Sequence, residues 1–155
     1  MISIEEQLNR SIEELMKLEP SEIEVELGRR LEETKKEIEQ GHFLSAASPM
    51  IVPPDATQLA AAPIWLKDLG QAFVRNLSHQ MYSLVCDEKD PENVKLRIAL
   101  ASGTQQAALV ISGVLVATFG LLPGIATAVA VIVGKRIAVA GHKTVCDAWK
   151  GSMKP

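Results

Sequence analysis

Three stretches of the chain place an apolar residue every three or four positions. The first runs through Ile4, Leu8, Ile12, Leu15 and Leu18. The second runs through Ile23, Leu27, Leu31 and Ile38, with Thr34 completing the stripe between the last two. The third runs through Leu66, Leu69, Phe73, Leu77, Met81 and Leu84. This spacing stacks side chains on one face and predicts three amphipathic helices. Ser3-Ile4-Glu5-Glu6 reads as a capping box that starts the first, and Ser21-Glu22-Ile23-Glu24 as one that starts the second. Pro20 is expected to stop the first helix, because it lacks an N–H and clashes with the preceding turn. Gly41 suits the end of the second. Residues 1–40 therefore read as an acidic amphipathic helical hairpin, a docking arm. Residues 41–62 hold Pro49, Pro53 and Pro54 and read as a linker, with Asp55 capping a short turn. Residues 63–155 read as a helical domain, entered at Pro63.

A different pattern follows. Asp90 caps and Pro91 opens a helix, and from Ile98 to Gly134 there are 37 consecutive residues without Lys, Arg, Asp, Glu or His. Such a run has to be hidden from water. Pro123-Gly124 is a turn signal, so the run is expected to fold back as an apolar helical hairpin over 98–140. Its apolar residues are Leu109, Val110, Ile111, Val114, Leu115, Val116, Phe119, Leu121 and Leu122 before the turn. After it come Ile125, Val129, Val131, Ile132 and Val133. Gly113 and Ala117, and then Ala126, Ala130, Gly134 and Ala138, recur at intervals of four. Rows of small residues let helix backbones approach closely. Lys135 and Arg136 follow as interfacial basic residues. The fold class expected is all-α, with about five helices.

Three environments fit the run. One is a single kinked membrane span, which needs about 20 apolar residues. Another is a hairpin that enters a membrane, with Lys135 and Arg136 at an anionic surface. The third is the core of a soluble bundle, where a helix can be apolar on all sides.

Composition changes the picture in two places. Net charge is −3, which argues against nucleic acid as a partner. The charge is uneven: residues 1–40 hold twelve Glu against six Lys or Arg, so the excess is acidic and local. The two cysteines, Cys86 and Cys146, are too few for a disulfide scaffold and read as reduced, mostly buried thiols. The N-terminus lacks the basic and apolar regions of a signal peptide. Synthesis is expected in the cytoplasm, and the protein is expected there or associated with the inner membrane.

No catalytic motif emerges. Gly134-Lys135 is followed by Arg136 rather than Ser or Thr, so it is no phosphate loop. His42, His79 and His142 have no metal-ligand spacing. His142 and Cys146, four apart on one helix face, are the best candidate for an activated thiol. Trp65 and Trp149 fit either ordinary packing or a membrane interface. No catalytic residue, cofactor, metal or small-molecule substrate is expected. The leading expectation is a non-enzymatic protein that engages or inserts into a membrane through 107–140. It would act as a pore-forming or membrane-perturbing effector, covered by its amphipathic helices, a protein partner or self-association. The alternative is a soluble adaptor or scaffold subunit whose hairpin stays buried and whose helices over 3–40 dock a partner.

Overall fold

The computed structural model describes residues 3–39 and 63–152. They form α1 (Ile4–Met16), α2 (Pro20–Glu39), α3 (Ile64–Cys86), α4 (Pro91–Ser102), α5 (Thr104–Phe119), α6 (Pro123–Ala140) and α7 (His142–Ser152). The class is all-α, with no strand among the described residues. The linker 41–62, with Asp55 and the Gly41 cap, lies outside the described residues, as does the Ile38 side chain.

Among the described residues seven helices stand where about five were expected, and glycine accounts for the difference. The helix begun at Pro91 does not run on to Leu122. It breaks at Gly103, where φ is 130°, and the last apolar helix breaks at Gly141, where φ is 94°. Both values lie where an L side chain is strained.

The first helix starts as its sequence predicts: the Glu6 N–H donates to Ser3 Oγ at 3.2 Å. The joint to α2 differs. α1 ends at Met16, and Pro20 is the first residue of α2, not the stop of α1. Proline suits a helix's first turn because its missing N–H has no partner there anyway. The second capping box correspondingly moves upstream, and the Glu19 N–H donates to Glu22 Oε1 at 2.8 Å. Asp90 caps α4 as expected, accepting from the Glu92 N–H at 2.9 Å.

The core is built around α6. Every residue from Pro123 to Gly134 is buried. α5 packs along α6 and α1 and α2 cover other sides of it, while α7 also packs against it. Leu8, Ile12 and Leu15 of α1 and Ile23 and Leu27 of α2 are buried in this packing. α3 makes its widest contact with α2 and is joined to α4 and α7. At the α2–α3 crossing two glycines allow the backbones to touch. A Cβ at Gly28 would lie 2.6 Å from the Leu66 carbonyl carbon and nearer still to its oxygen. One at Gly70 would lie 3.1 Å from the carbonyl carbon of Glu24. Neither glycine was singled out by the sequence pattern, although Gly70 falls four residues from both Leu66 and Val74 on the buried side of α3.

Candidate functional site

The apolar hairpin forms as α5 and α6, but its turn sits upstream of Pro123-Gly124. Gly120 adopts φ 68°, the left-handed cap that only glycine enters freely, and the Leu121 N–H donates back to the Leu115 carbonyl at 3.2 Å. Pro123 and Gly124 then open α6, with Leu122 as its cap. The turn is therefore Gly120–Leu122, and Pro123-Gly124 are buried helix residues.

The two arms of the hairpin have different surroundings. Thirteen of the eighteen α6 residues are buried, including Ile125, Val129, Val131, Ile132 and Val133. α6 is the one helix among the described residues that is long and apolar enough to cross a membrane. α5 is shorter and stands at the outside. Ile111 and Leu115 face inward, while Leu109, Val110, Val114, Val116 and Phe119 are half-buried and Ala117 and Thr118 are exposed. An outer helix of a globular protein usually carries charge on its open face; α5 carries none. α4, packed against α5, exposes Val94 and Ile98, the latter 68% open.

The small residues divide in the same way. Ala126 and Ala130 are fully buried. A Cβ at Gly134 would meet Thr104 Cγ2 at 3.3 Å, so this glycine does bring α6 close to α5. Gly113 does not face a helix: a Cβ there would meet nothing within 4 Å. Ala117 and Ala138 are exposed. The row of four-residue spacings is thus a packing face on α6 as far as Gly134, and not on α5.

Polar links tie α1 and α2 to the start of α6. The Ser11 and Thr127 hydroxyls are 2.7 Å apart, and Thr127 Oγ1 donates to the Gly124 carbonyl at 3.2 Å. Arg30 Nη1 donates to that same carbonyl at 2.6 Å. Arg30 is held by Glu26, whose Oε1 accepts from Arg30 Nε at 3.2 Å and from Arg29 Nε at 2.8 Å. Glu26 and Arg30 are both buried. Burial pushes the Arg30 guanidinium below its usual pKa, and the Glu26 charge opposes that shift. Glu26 Oε2 has no hydrogen-bond partner among the described residues. These residues were missed as a site. The available signal was a polar side chain on a buried stripe: Ser11 between Leu8 and Leu15, and Glu26 and Arg30 beside Leu27.

The expected interfacial cations are engaged within the fold. Lys135 Nζ donates to the carbonyls of Met16 and Leu18 at 3.0 and 2.6 Å, which closes the C-terminal end of α1. Arg136 lies 3.4 Å from Glu24. The docking stripe is likewise used inside: Leu8, Ile12, Leu15, Ile23 and Leu27 are buried and Leu31 is half-buried, while Ile4 remains exposed.

The cysteines overturn the expectation of two free thiols. Cys86 at the end of α3 and Cys146 on α7 form a disulfide, with Cα atoms 5.6 Å apart, a normal separation for such a bond. Residues 60 apart in sequence come together because α7 folds back onto α3. The sulfur of Cys146 is therefore bonded, and His142 Nε2 contacts the Val85 carbonyl instead of activating a thiol. Trp149 is buried, whereas Trp65 is half-exposed at the start of α3. Among the described residues no three His, Cys, Asp or Glu stand together as a metal site. No known protein family, no curated protein and no solved structure matches this chain.

Proposed function

We propose that this is a non-enzymatic protein that engages membranes through the α5–α6 hairpin. The observation that carries the reading is the uncharged, half-open face of α5, an apolar surface of the kind that marks membrane or partner contact. Beneath it, α6 has the length and composition of a span and is kept under α1 and α2. In this reading α5 makes the first contact, and insertion of α6 requires the arm to leave. The links from Ser11, Arg30 and Lys135 then act as the restraint on a population shift between covered and exposed hairpin.

A second reading has its own observation. The twelve-residue buried stretch of α6 is what the permanent core helix of a soluble adaptor would show. Vesicle flotation of the full chain with anionic vesicles, followed by a carbonate wash, separates the two. Thr118→Lys places a charge on the exposed face of α5 and is expected to leave the fold intact and abolish flotation. Val129→Lys buries a charge and is expected to unfold the protein. A folded wild-type chain that never floats rejects the membrane reading and leaves the adaptor.

A further inference from the structure

A groove of about 750 Å³ opens between α3, α6 and α7, beside the α1–α2 joint at Pro20. Small-molecule sites commonly enclose about 300–1,000 Å³, with an apolar lining and a few polar groups. None of its lining residues belongs to α4 or α5, so it is separate from the face proposed for membrane contact. Val74, Val145 and Trp149 line it with apolar surface, and Val139 forms an open lip, 87% exposed. The charged residues on its wall are Arg75, Lys135 and Arg136, and no carboxylate lines it.

That is a cationic site on a chain of net charge −3. Lys135 is committed to the carbonyls at the end of α1, and Arg136 shares its charge with Glu24 across 3.4 Å. The Arg75 guanidinium is exposed and has no ion pair among the described residues. An apolar floor and a cationic rim together suit an amphiphile of one short tail and one anionic head. We infer that the groove binds a free medium-chain carboxylate, its tail along Val74, Val145 and Trp149 and its head at Arg75. The Cys86–Cys146 disulfide fixes α7, and with it the Val145 and Trp149 wall, to α3.

The test is a titration of the full-length, oxidised protein with decanoate. Trp149 emission is read in a Trp65→Phe background, and calorimetry gives the stoichiometry. One molecule is expected to bind saturably. Decanol, with the same tail and no charge, is expected to bind about tenfold more weakly, the scale of one charge-assisted contact. Arg75→Glu is expected to weaken decanoate by a similar factor without changing the melting temperature, and Val139→Asp to weaken both ligands. The inference is overturned by an unsaturable response, by equal affinity for decanol with no effect of Arg75→Glu, or by a response to phosphatidylglycerol vesicles with none to free decanoate.

Discussion

Replacing Gly28 and Gly113 by alanine, one at a time, should move stability in opposite directions. Both lie inside helices, where alanine is favoured over glycine by about 1 kcal/mol. At Gly113 the new methyl meets nothing within 4 Å, so most of that gain should appear. At Gly28 the methyl would lie 2.6 Å from the Leu66 carbonyl carbon, where ordinary contact begins near 3.4 Å. The oxygen is closer still, so α2 and α3 must part by about an ångström or more. A gap of about 0.5–1 Å already forfeits a quarter to a half of each dispersion contact along the interface. Overpacking of this kind costs about 1–3 kcal/mol and sometimes more. α2 and α3 share the widest helix–helix contact, so we place the cost at the top of that range. After the helix gain, Gly28→Ala should be destabilised by about 2 kcal/mol. For a chain of this size that lowers the melting temperature by about 4–8 °C, against a rise of about 2 °C for Gly113→Ala. Thermal melts by far-UV circular dichroism read both. A Gly28→Ala protein as stable as the wild type would refute the close crossing. A destabilised Gly113→Ala would refute the open face of α5.

Other outcomes follow from the buried polar links and the disulfide. Arg30→Met strands Glu26 with only Arg29 and should cost about 3 kcal/mol in urea unfolding, with Glu26→Met/Arg30→Met recovering most of it. Ser11→Ala should cost about 1 kcal/mol, since Thr127 keeps its bond to the Gly124 carbonyl. Breaking the Cys86–Cys146 bond frees a loop spanning a sequence separation of 60 and should lower stability by up to about 4 kcal/mol. Unfolding with and without a reductant, beside Cys86→Ser/Cys146→Ser, measures it; equal midpoints would show that the bond does not restrain the chain.

The inward stripes were legible because their period is local. Leu8, Ile12 and Leu15 lie on one side of α1 whatever the rest of the chain does, and that side is the buried one. The Ser3 and Asp90 caps were equally legible, since each acts within three residues. The breaks at Gly103 and Gly141 were harder to see. A glycine inside an apolar helix pattern does not announce its φ, and Gly113 and Gly134 sit in helices without a break.

What the sequence by itself determined was the all-α class, the amphipathic stripes of α1 and α2 and the presence of one uncharged segment that must leave water. Those follow from periodicity and from the absence of charge, which are properties of neighbours along the chain. Only the tertiary structure decided that α6 is enclosed while α5 stays half-open, that Lys135 closes α1, and that Cys86 meets Cys146. It also decided that Arg75, Lys135 and Arg136 share one groove. The physical reason is that a helix pattern fixes which side is apolar but not which helix covers it. Contacts between residues 60 to 119 positions apart depend on how the helices cross, and at the α2–α3 crossing the close approach is allowed by two glycines whose only signal is a missing side chain.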